Sequence, residues 1–562
     1  VCSLYNVSSL GATNAVLSFT VKQLQLTEAK VQIARTVADA SSAGLYETKY
    51  GLNTTMVLFG AFGVFIMQIG FAMFVAGVVR SKNIGSILMK SAIDTCISAL
   101  GYYLLGYGFT FGNNGNPNGF IGNSDFALSE TTRGGGQHYD LFVWNWVFCA
   151  VSTTIMAGSV AERGTFFSYV LYACFYSMWV YPVVAHWHWS DYGWLCAHNP
   201  DALLGIGVID FAGSGVVHTL GGFAALMGSI VLGARVGRFD SSANQTEYKH
   251  GHNPPLYLLG TFLLWVGWYS FNPISNLAID TYSDAETVAR TATTTTLSAA
   301  SSGCMALIII YWRTRTWDML TTCTGILGGL VAITAGCSVV EPWAAIICGV
   351  VAAPCVVYGD MLLDYFKIDD PACAFSLHAL SGIWGVLFVG LLAREDYMIK
   401  VYDKPPSKDI IGLFYGGNGK LLLAQFTAVV VTIAWTCGMM YGFFWLLNKL
   451  GMLRVGLAEE AAGLDQAAMG ESAMVSKPTD AKVMQRGATT SHSTIGLVTN
   501  PSYRVGSINQ MPLLQQVIHE DGFNFDKLAN MNGSPTGART PSNPGSRKEY
   551  DASTLASTSK LA

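Results

Sequence analysis

Two stretches decide how this chain is read: DFAGSGVVHTLGG, from Asp210 to Gly222, and DPACAFSLHALSG, from Asp370 to Gly382. Each places a histidine, His218 or His378, eight residues after an aspartate and inside a long apolar run. Both histidines are followed by x-Leu-Gly/Ser-Gly, and both runs continue to an arginine, Arg235 or Arg394. Ionisable side chains inside a membrane are costly and characteristically line a substrate or proton path. Two in matching contexts, about 160 residues apart, read as one element used twice. That is the mark of a transporter or channel built from an internal repeat, with its site where the halves meet.

The composition agrees. Of 562 residues, 51% are hydrophobic and 12% charged, with a mean hydropathy of +0.37; soluble domains carry about twice that charged fraction. The expected fold class is therefore an all-α polytopic membrane protein. The formal net charge of −4 argues against a nucleic-acid partner. Most of the twelve cysteines fall in apolar runs, where they read as small buried thiols. Cys2 and Cys196 lie outside those runs, which leaves a disulfide between them open. There is no CxxC or HExxH pattern, so neither a metal site nor a cofactor is expected. Nothing resembles a nucleophile–base pair, so the chain does not read as an enzyme.

A spanning helix needs about 20 mostly apolar residues. Eleven segments qualify: 55–79, 86–111, 140–161, 166–187, 212–234, 255–273, 285–311, 317–338, 342–362, 373–393 and 420–448. If all are real, Arg80, Lys82, Lys90, Arg163, Arg235, Arg238, Lys249, Arg313, Arg315, Lys367, Lys449 and Arg454 share one side, which is then cytoplasmic. Arg133, Arg394, Lys400, Lys404 and Lys408 fall on the other. The N-terminus is thus expected outside and the C-terminus inside, and the sequons at Asn6 and Asn53 fit that choice. Residues 1–50 form an extracellular segment whose amphipathic stretch is expected to pack on the outer face. Residues 51–450 form the membrane domain, 451–475 a cytoplasmic segment with helical character, and 476–562 a Ser/Thr/Asn/Gly/Pro-rich tail expected to be disordered. Ser534-Pro535 and Thr540-Pro541 in that tail are candidate kinase sites.

The aspartates suit helix caps, because a carboxylate satisfies orphan N–H groups at a helix start. Asp370 is assigned as a structural cap, and Asp210 both as a cap and as a negative charge that draws a cation. On the assigned topology Asp210 lies near the outside and Asp370 near the inside, as an inverted repeat requires. A neutral imidazole donates and accepts at once, so His218 and His378 can form a polar wire for a small uncharged solute or a proton. The run WNWVFCA puts Trp144 and Phe148 on one helix face. WVGWYSFNPIS sets Phe271 just before the helix-ending Pro273. HWHWSDYGW brings Trp187, Trp189 and Trp194 to a membrane boundary, where they serve either an interfacial belt or a cation–π site.

The runs QIGFAMFVAGVVRSKN, AGSVAER, DFAGSGVVHTLGG, WVGWYSFNP and DDPACAFSLHALSGIWG together resemble the Amt/Mep/Rh superfamily, and most of all its plant-type ammonium transporters. The likeness spans about residues 50–470. It implies eleven transmembrane helices in two inverted five-helix repeats plus a final helix, a homotrimer with one pore per subunit, and a plasma-membrane location. Residue by residue, it implies a pore pair at His218 and His378 and a stacked gate at Phe148 and Phe271, with Trp144 beside it. Cation recruitment falls to Trp189, Ser275 and Asp210. The implied substrates are ammonium and methylammonium: the cation is recruited and deprotonated, and NH3 passes the twin histidines, with net charge or proton transfer. Two alternatives stand beside this reading, a neutral Rh-like NH3/CO2 channel and an ammonium sensor signalling through its tail.

The chain also departs from its relatives. Where they read GFNPGS, it has Ser270 and Ile274 in place of both glycines, which is expected to crowd the recruitment site. HALSGIWG replaces their HGGCGAWG. Ala467 stands where plant relatives keep a regulatory threonine, so that phosphorylation switch is expected to be missing.

Overall fold

The computed structural model describes residues 2–115, 117–129, 139–241, 246–249 and 251–469. The expected tail and its Ser534 and Thr540 sites lie outside the described residues, as do Arg133 and the side chains of Cys2 and Asn6. Among the described residues the fold is helical, with no β-strand. Nine helices among the described residues are long and apolar enough to cross a membrane: α1 (Cys2–Val78), α2 (Ser81–Phe111), α3 (Tyr139–Ser159), α4 (Phe166–Trp189), α5 (Ser214–Leu232), α7 (Tyr282–Thr314), α9 (Pro342–Tyr365), α10 (Phe375–Leu392) and α11 (Lys420–Lys449). The two remaining expected segments fold as α6 (Pro254–Phe271) and the shorter α8 (Met319–Ile333).

Helix starts follow local chemistry. Thr165, Asn253, Thr281 and Asp318 each accept a backbone N–H three residues on. Pro254 and Pro342 sit in first turns, where a missing N–H costs nothing. Helix packing rests on small residues, as it must where lipid removes the hydrophobic drive between helices. In α7 the Ser298 hydroxyl donates to the Gly329 carbonyl at 2.7 Å and Ser302 to that of Gly325 at 2.6 Å. Both acceptors lie on α8. A Cβ on Gly329 would stand 2.4 Å from the Ser298 carbonyl oxygen.

One expectation fails. The stretch before residue 50 does not lie on the bundle. It continues α1 without a break, and residues 14–48 are exposed on every side. No proline interrupts the helix there, and its exit from the bundle is pinned. Lys49 pairs with Asp280 at 2.8 Å, and Asn53 bonds Asp280 and the Ile279 N–H. Cys196 is a free, buried thiol rather than half of a disulfide.

Three of the basic residues expected on one side, Arg80, Arg163 and Arg235, meet in one network. Arg235 binds Glu162 at 2.6 Å and Asp369 at 2.8 Å, and Arg80 also binds Glu162. Arg163 donates to the carbonyls of Asp369 and Gly233. Burial works against the Glu162 carboxylate, yet Arg235 and Arg80 hold it ionised below the usual range. The loops after α3 and α5 are thereby tied to the loop before α10. Past α11, Glu460 accepts from the Val236 N–H and from Arg454, and Asp465 accepts from the Gly85 and Ser86 N–H groups at the start of α2.

If the serine–glycine seam sets the α7–α8 approach, Gly329→Ala should destabilise the bundle by about 1–3 kcal/mol, the usual size for overpacking. Thermal unfolding of the purified protein in detergent checks this. A Tm within about one degree of the parent's would contradict it.

Candidate functional site

The two histidine segments share one local structure. Each begins not with an ordinary α-turn but with a wide π-type turn, Ser214–Thr219 in α5 and Phe375–Leu380 in α10. Such turns are rare and concentrate at functional sites. Each turn is held by its aspartate. Asp210 accepts the Gly215 and Val216 N–H groups at 2.9 Å, and Asp370 accepts that of Phe375 at 2.8 Å. Neither aspartate occupies the cap position itself; both reach in from the loop before the helix. The bend ahead of the first turn needs Gly213, at φ +102°, where a Cβ would also press on the Trp189 ring at 3.1 Å. Ser214 anchors the segment to the end of α8, donating to Val331 and accepting from the Ala335 N–H, both at 2.7 Å.

These turns bring His218 and His378 together at the centre of the fold. Their Nδ1 atoms are 3.2 Å apart and their rings 14° from parallel. Both are buried, at 0% and 4% exposure. At that distance one Nδ1 donates and the other accepts, which for two neutral rings means opposite tautomers with one N–H directed between them. The His218 Nε2 has no partner among the described residues. Apolar rings surround the pair: Trp268 stacks on His218 at 5.2 Å, Phe271 lies 5.7 Å from it, and Phe71 lies 6.0 Å from His378.

Directly beyond Phe271 is a second stacked pair. The Phe148 and Phe271 rings are 4.1 Å apart and 20° from parallel, and they separate the histidines from a cavity of about 580 Å³. Trp144, Phe148, Trp189, Asp210, Ser275 and Tyr402 line this vestibule. Trp144 packs on Phe148 at 4.8 Å, and Trp189 meets the same ring edge-on at 5.8 Å. The Trp189 indole N–H is spent on the Asp210 carbonyl at 2.9 Å, which fixes its ring against the cavity. The Ser275 hydroxyl donates to the Phe271 carbonyl at 2.7 Å, so its free lone pairs can only accept. The vestibule thus offers a cation an aromatic face, a hydroxyl oxygen and a nearby carboxylate. On the other side of the phenylalanines lie the two imidazoles and the aromatic rings around them.

Residues 54–474 match the ammonium transporter family. The chain belongs to that family. It is 44% identical over 423 residues to ammonium transporter 1 member 3 of Solanum lycopersicum, covering 74% of this chain and 91% of that one. It is 43% identical over 408 residues to ammonium transporter 1 member 2 of Arabidopsis thaliana, covering 69% and 77%. Among solved structures, one titled a sensor Amt protein aligns with a TM-score of 0.66 at 32% identity, covering 75% of this chain and 99% of that one. Mep2 of Saccharomyces cerevisiae aligns with a TM-score of 0.63 at 25% identity, covering 72% and 87%.

Against this family background the two departures near the site find an explanation in α1. Ile274 does not point into the vestibule: it faces Gly60, where a Cβ would come within 2.4 Å of its Cγ2 and 2.9 Å of the Trp144 ring. Ser270 likewise faces Gly63, where a Cβ would fall 1.9 Å from its Oγ. The bulk gained on α6 and just beyond it is accommodated by glycines on α1. Trp187 is no interfacial residue either. It is 4% exposed, donates to the Phe120 carbonyl at 2.9 Å and packs on Trp435.

Sequence reading missed the supports of the site: Phe71, Gln425 and the Trp268–Thr334 bond of 3.0 Å that holds the indole over His218. Gln425 donates to the Ile209 and Val386 carbonyls and accepts the Ile209 N–H. Its amide was the available signal, a polar group within an apolar span that must find partners.

If Gly60 exists to admit Ile274, Gly60→Ala should lower stability by about 1–3 kcal/mol, and adding Ile274→Gly should recover most of the loss. Unfolding of the two single variants and the double variant measures the coupling. Additive effects would show that the two residues do not share that space.

Proposed function

We propose that the chain recruits the ammonium cation in the vestibule, removes a proton at the Phe148–Phe271 gate and passes NH3 along His218 and His378. The observation carrying this reading is the change of surroundings across 4.1 Å of stacked phenyl rings, from cation-binding groups to imidazole and hydrocarbon. Ammonium and K⁺ are close in size, so a size filter cannot separate them. Ammonium alone donates directional hydrogen bonds and can shed a proton. On the vestibule side it meets the Trp189 ring, worth about 0.5–2 kcal/mol as a cation–π contact, and the Ser275 oxygen. Asp210 biases the local field. Beyond the rings an ion finds no compensating charge, whereas ammonia can hydrogen-bond to each imidazole in turn.

Family membership supports the substrate, with methylammonium as its analogue. A homotrimer in the plasma membrane, with the N-terminus outside and the basic network cytoplasmic, belongs to the same proposal. So does net charge or proton transfer with the substrate; a neutral Rh-like channel would carry flux without current. The sensor reading draws support from the name of one structural neighbour, and predicts substrate binding without flux. Ala467 is exposed and lacks a hydroxyl, so any kinase control of the cytoplasmic side falls to the tail.

Ammonium-evoked current in cells expressing the chain tests the proposal. Trp189→Leu should raise the half-saturating concentration several-fold, up to about thirtyfold, since each 1.4 kcal/mol is tenfold. Asp210→Asn keeps an oxygen for the Gly215 and Val216 N–H groups, so it should reach the surface yet conduct poorly. Unchanged half-saturation in the first variant and normal current in the second would place recruitment elsewhere.

A further inference from the structure

The vestibule wall carries a cluster that the pathway above does not use. The carboxylate of Asp191, the thiol of Cys196 and the imidazole of His198 place one ligand atom each within 4.8 Å of one another, and Cys196 Sγ lies 4.0 Å from His198 Nδ1. Asp191 and His198 also line the cavity that holds Trp189, Asp210 and Ser275. The spacing Asp-x4-Cys-x-His matches no common metal motif, which is why the sequence alone raised no such expectation.

We propose that these three residues form a binding site for Zn²⁺, or another thiophilic divalent ion, whose occupancy weakens ammonium recruitment. Thiolate, imidazole and carboxylate are the ligand types zinc takes, at about 2.0–2.3 Å each in a tetrahedral array, which sets two donors about 3.3–3.6 Å apart. The ligand atoms, all within 4.8 Å of one another, need to close a gap of no more than about 1.5 Å. Asp191 and His198 are exposed and can close it by side-chain rotation. The backbone under them is already fixed. Cys196 donates to the Gly193 carbonyl, Asn199 N–H donates to Cys196, the Asn199 amide holds the Tyr192 and Gly193 carbonyls, and Val208 N–H donates to Leu195. The His198 ring rests on Tyr402 at 5.5 Å. Cys196 itself is 1% exposed, a thiol in a rigid wall rather than on a loose loop. Three protein ligands leave a fourth position for water, as open zinc sites do.

The charge balance gives the consequence. Without metal the cluster carries the single negative charge of Asp191. On binding, the thiol loses its proton to solvent, and Zn²⁺ with one thiolate and one carboxylate is neutral. The vestibule loses one negative charge, while the Lys404 charge near the thiol remains. An approaching cation is then drawn less strongly, so zinc should raise the half-saturating ammonium concentration more than it lowers the maximal current. That consequence rests on the proposed recruitment role; the binding does not.

Two measurements separate them. Purified full-length protein titrated with Cd²⁺ should develop the ultraviolet thiolate-to-metal absorption, and Cys196→Ser should abolish it. In cells, external Zn²⁺ should raise the half-saturating ammonium concentration several-fold. Cys196→Ser and His198→Ala should each need roughly tenfold more Zn²⁺ for the same effect, with currents unchanged when zinc is absent. No cadmium–thiolate signal, or one that persists in Cys196→Ser, would overturn the site. Binding without any change in half-saturation would overturn its control of the vestibule.

Discussion

A hydrogen bond between two neutral imidazoles, sealed inside hydrocarbon, is the constraint around which this fold is arranged. The 3.2 Å between the Nδ1 atoms of His218 and His378 requires one ring to donate and the other to accept. A positive charge on either ring would find no counter-ion beside it among the described residues. The Phe148–Phe271 stack on one side and Trp268 and Phe71 around the rings keep that environment dry. On the proposed reading, attracting a cation and passing a neutral molecule are separate tasks, carried out on opposite sides of the Phe148–Phe271 stack.

Two helices that begin in different halves must deliver their histidines to the same point, and the structure shows how that precision is secured. Both start in wide turns that rotate the imidazole inward, and both turns are held by aspartate oxygens on backbone N–H groups. Ser214 fastens the first segment to the end of α8, and the Arg235–Asp369 pair joins the ends of the loops on the opposite face. Breaking one partner of such a buried pair costs roughly 3–5 kcal/mol, so the relative placement of the halves is firmly set. Glu460 and Asp465, past α11, bond to this same face, which couples the end of the family-matched region to the loops that hold the two histidine turns.

Much of this was legible in the sequence. The duplicated Asp-x7-His pattern marked the two segments that meet, and the eleven apolar segments fall on helices, nine of them long and apolar enough to cross a membrane among the described residues. Family likeness picked out Trp144, Phe148, Trp189, Asp210, Phe271 and Ser275, which lie around one cavity and the ring stack beside it. What escaped was set by contacts between distant parts of the chain. Gly60 and Gly63 explain Ile274 and Ser270 only once α1 is seen against them. Residues 1–50 read as a surface segment because their apolar positions suggest a partner, but helix propagation from α1 leaves residues 14–48 exposed. The Asp191, Cys196 and His198 cluster obeys no helical or finger spacing and is assembled by the tight loop after α4. Periodicity reports which residues face inward; it does not report which neighbour they meet.

The central claim is that the imidazole pair conducts ammonia while refusing ions. Ammonium current and K⁺ current recorded side by side for surface-expressed His218→Ala and His378→Ala test it most directly. The account predicts that each substitution either abolishes the ammonium current or opens a leak that admits K⁺. Wild-type ammonium current with K⁺ exclusion intact in both variants would contradict it.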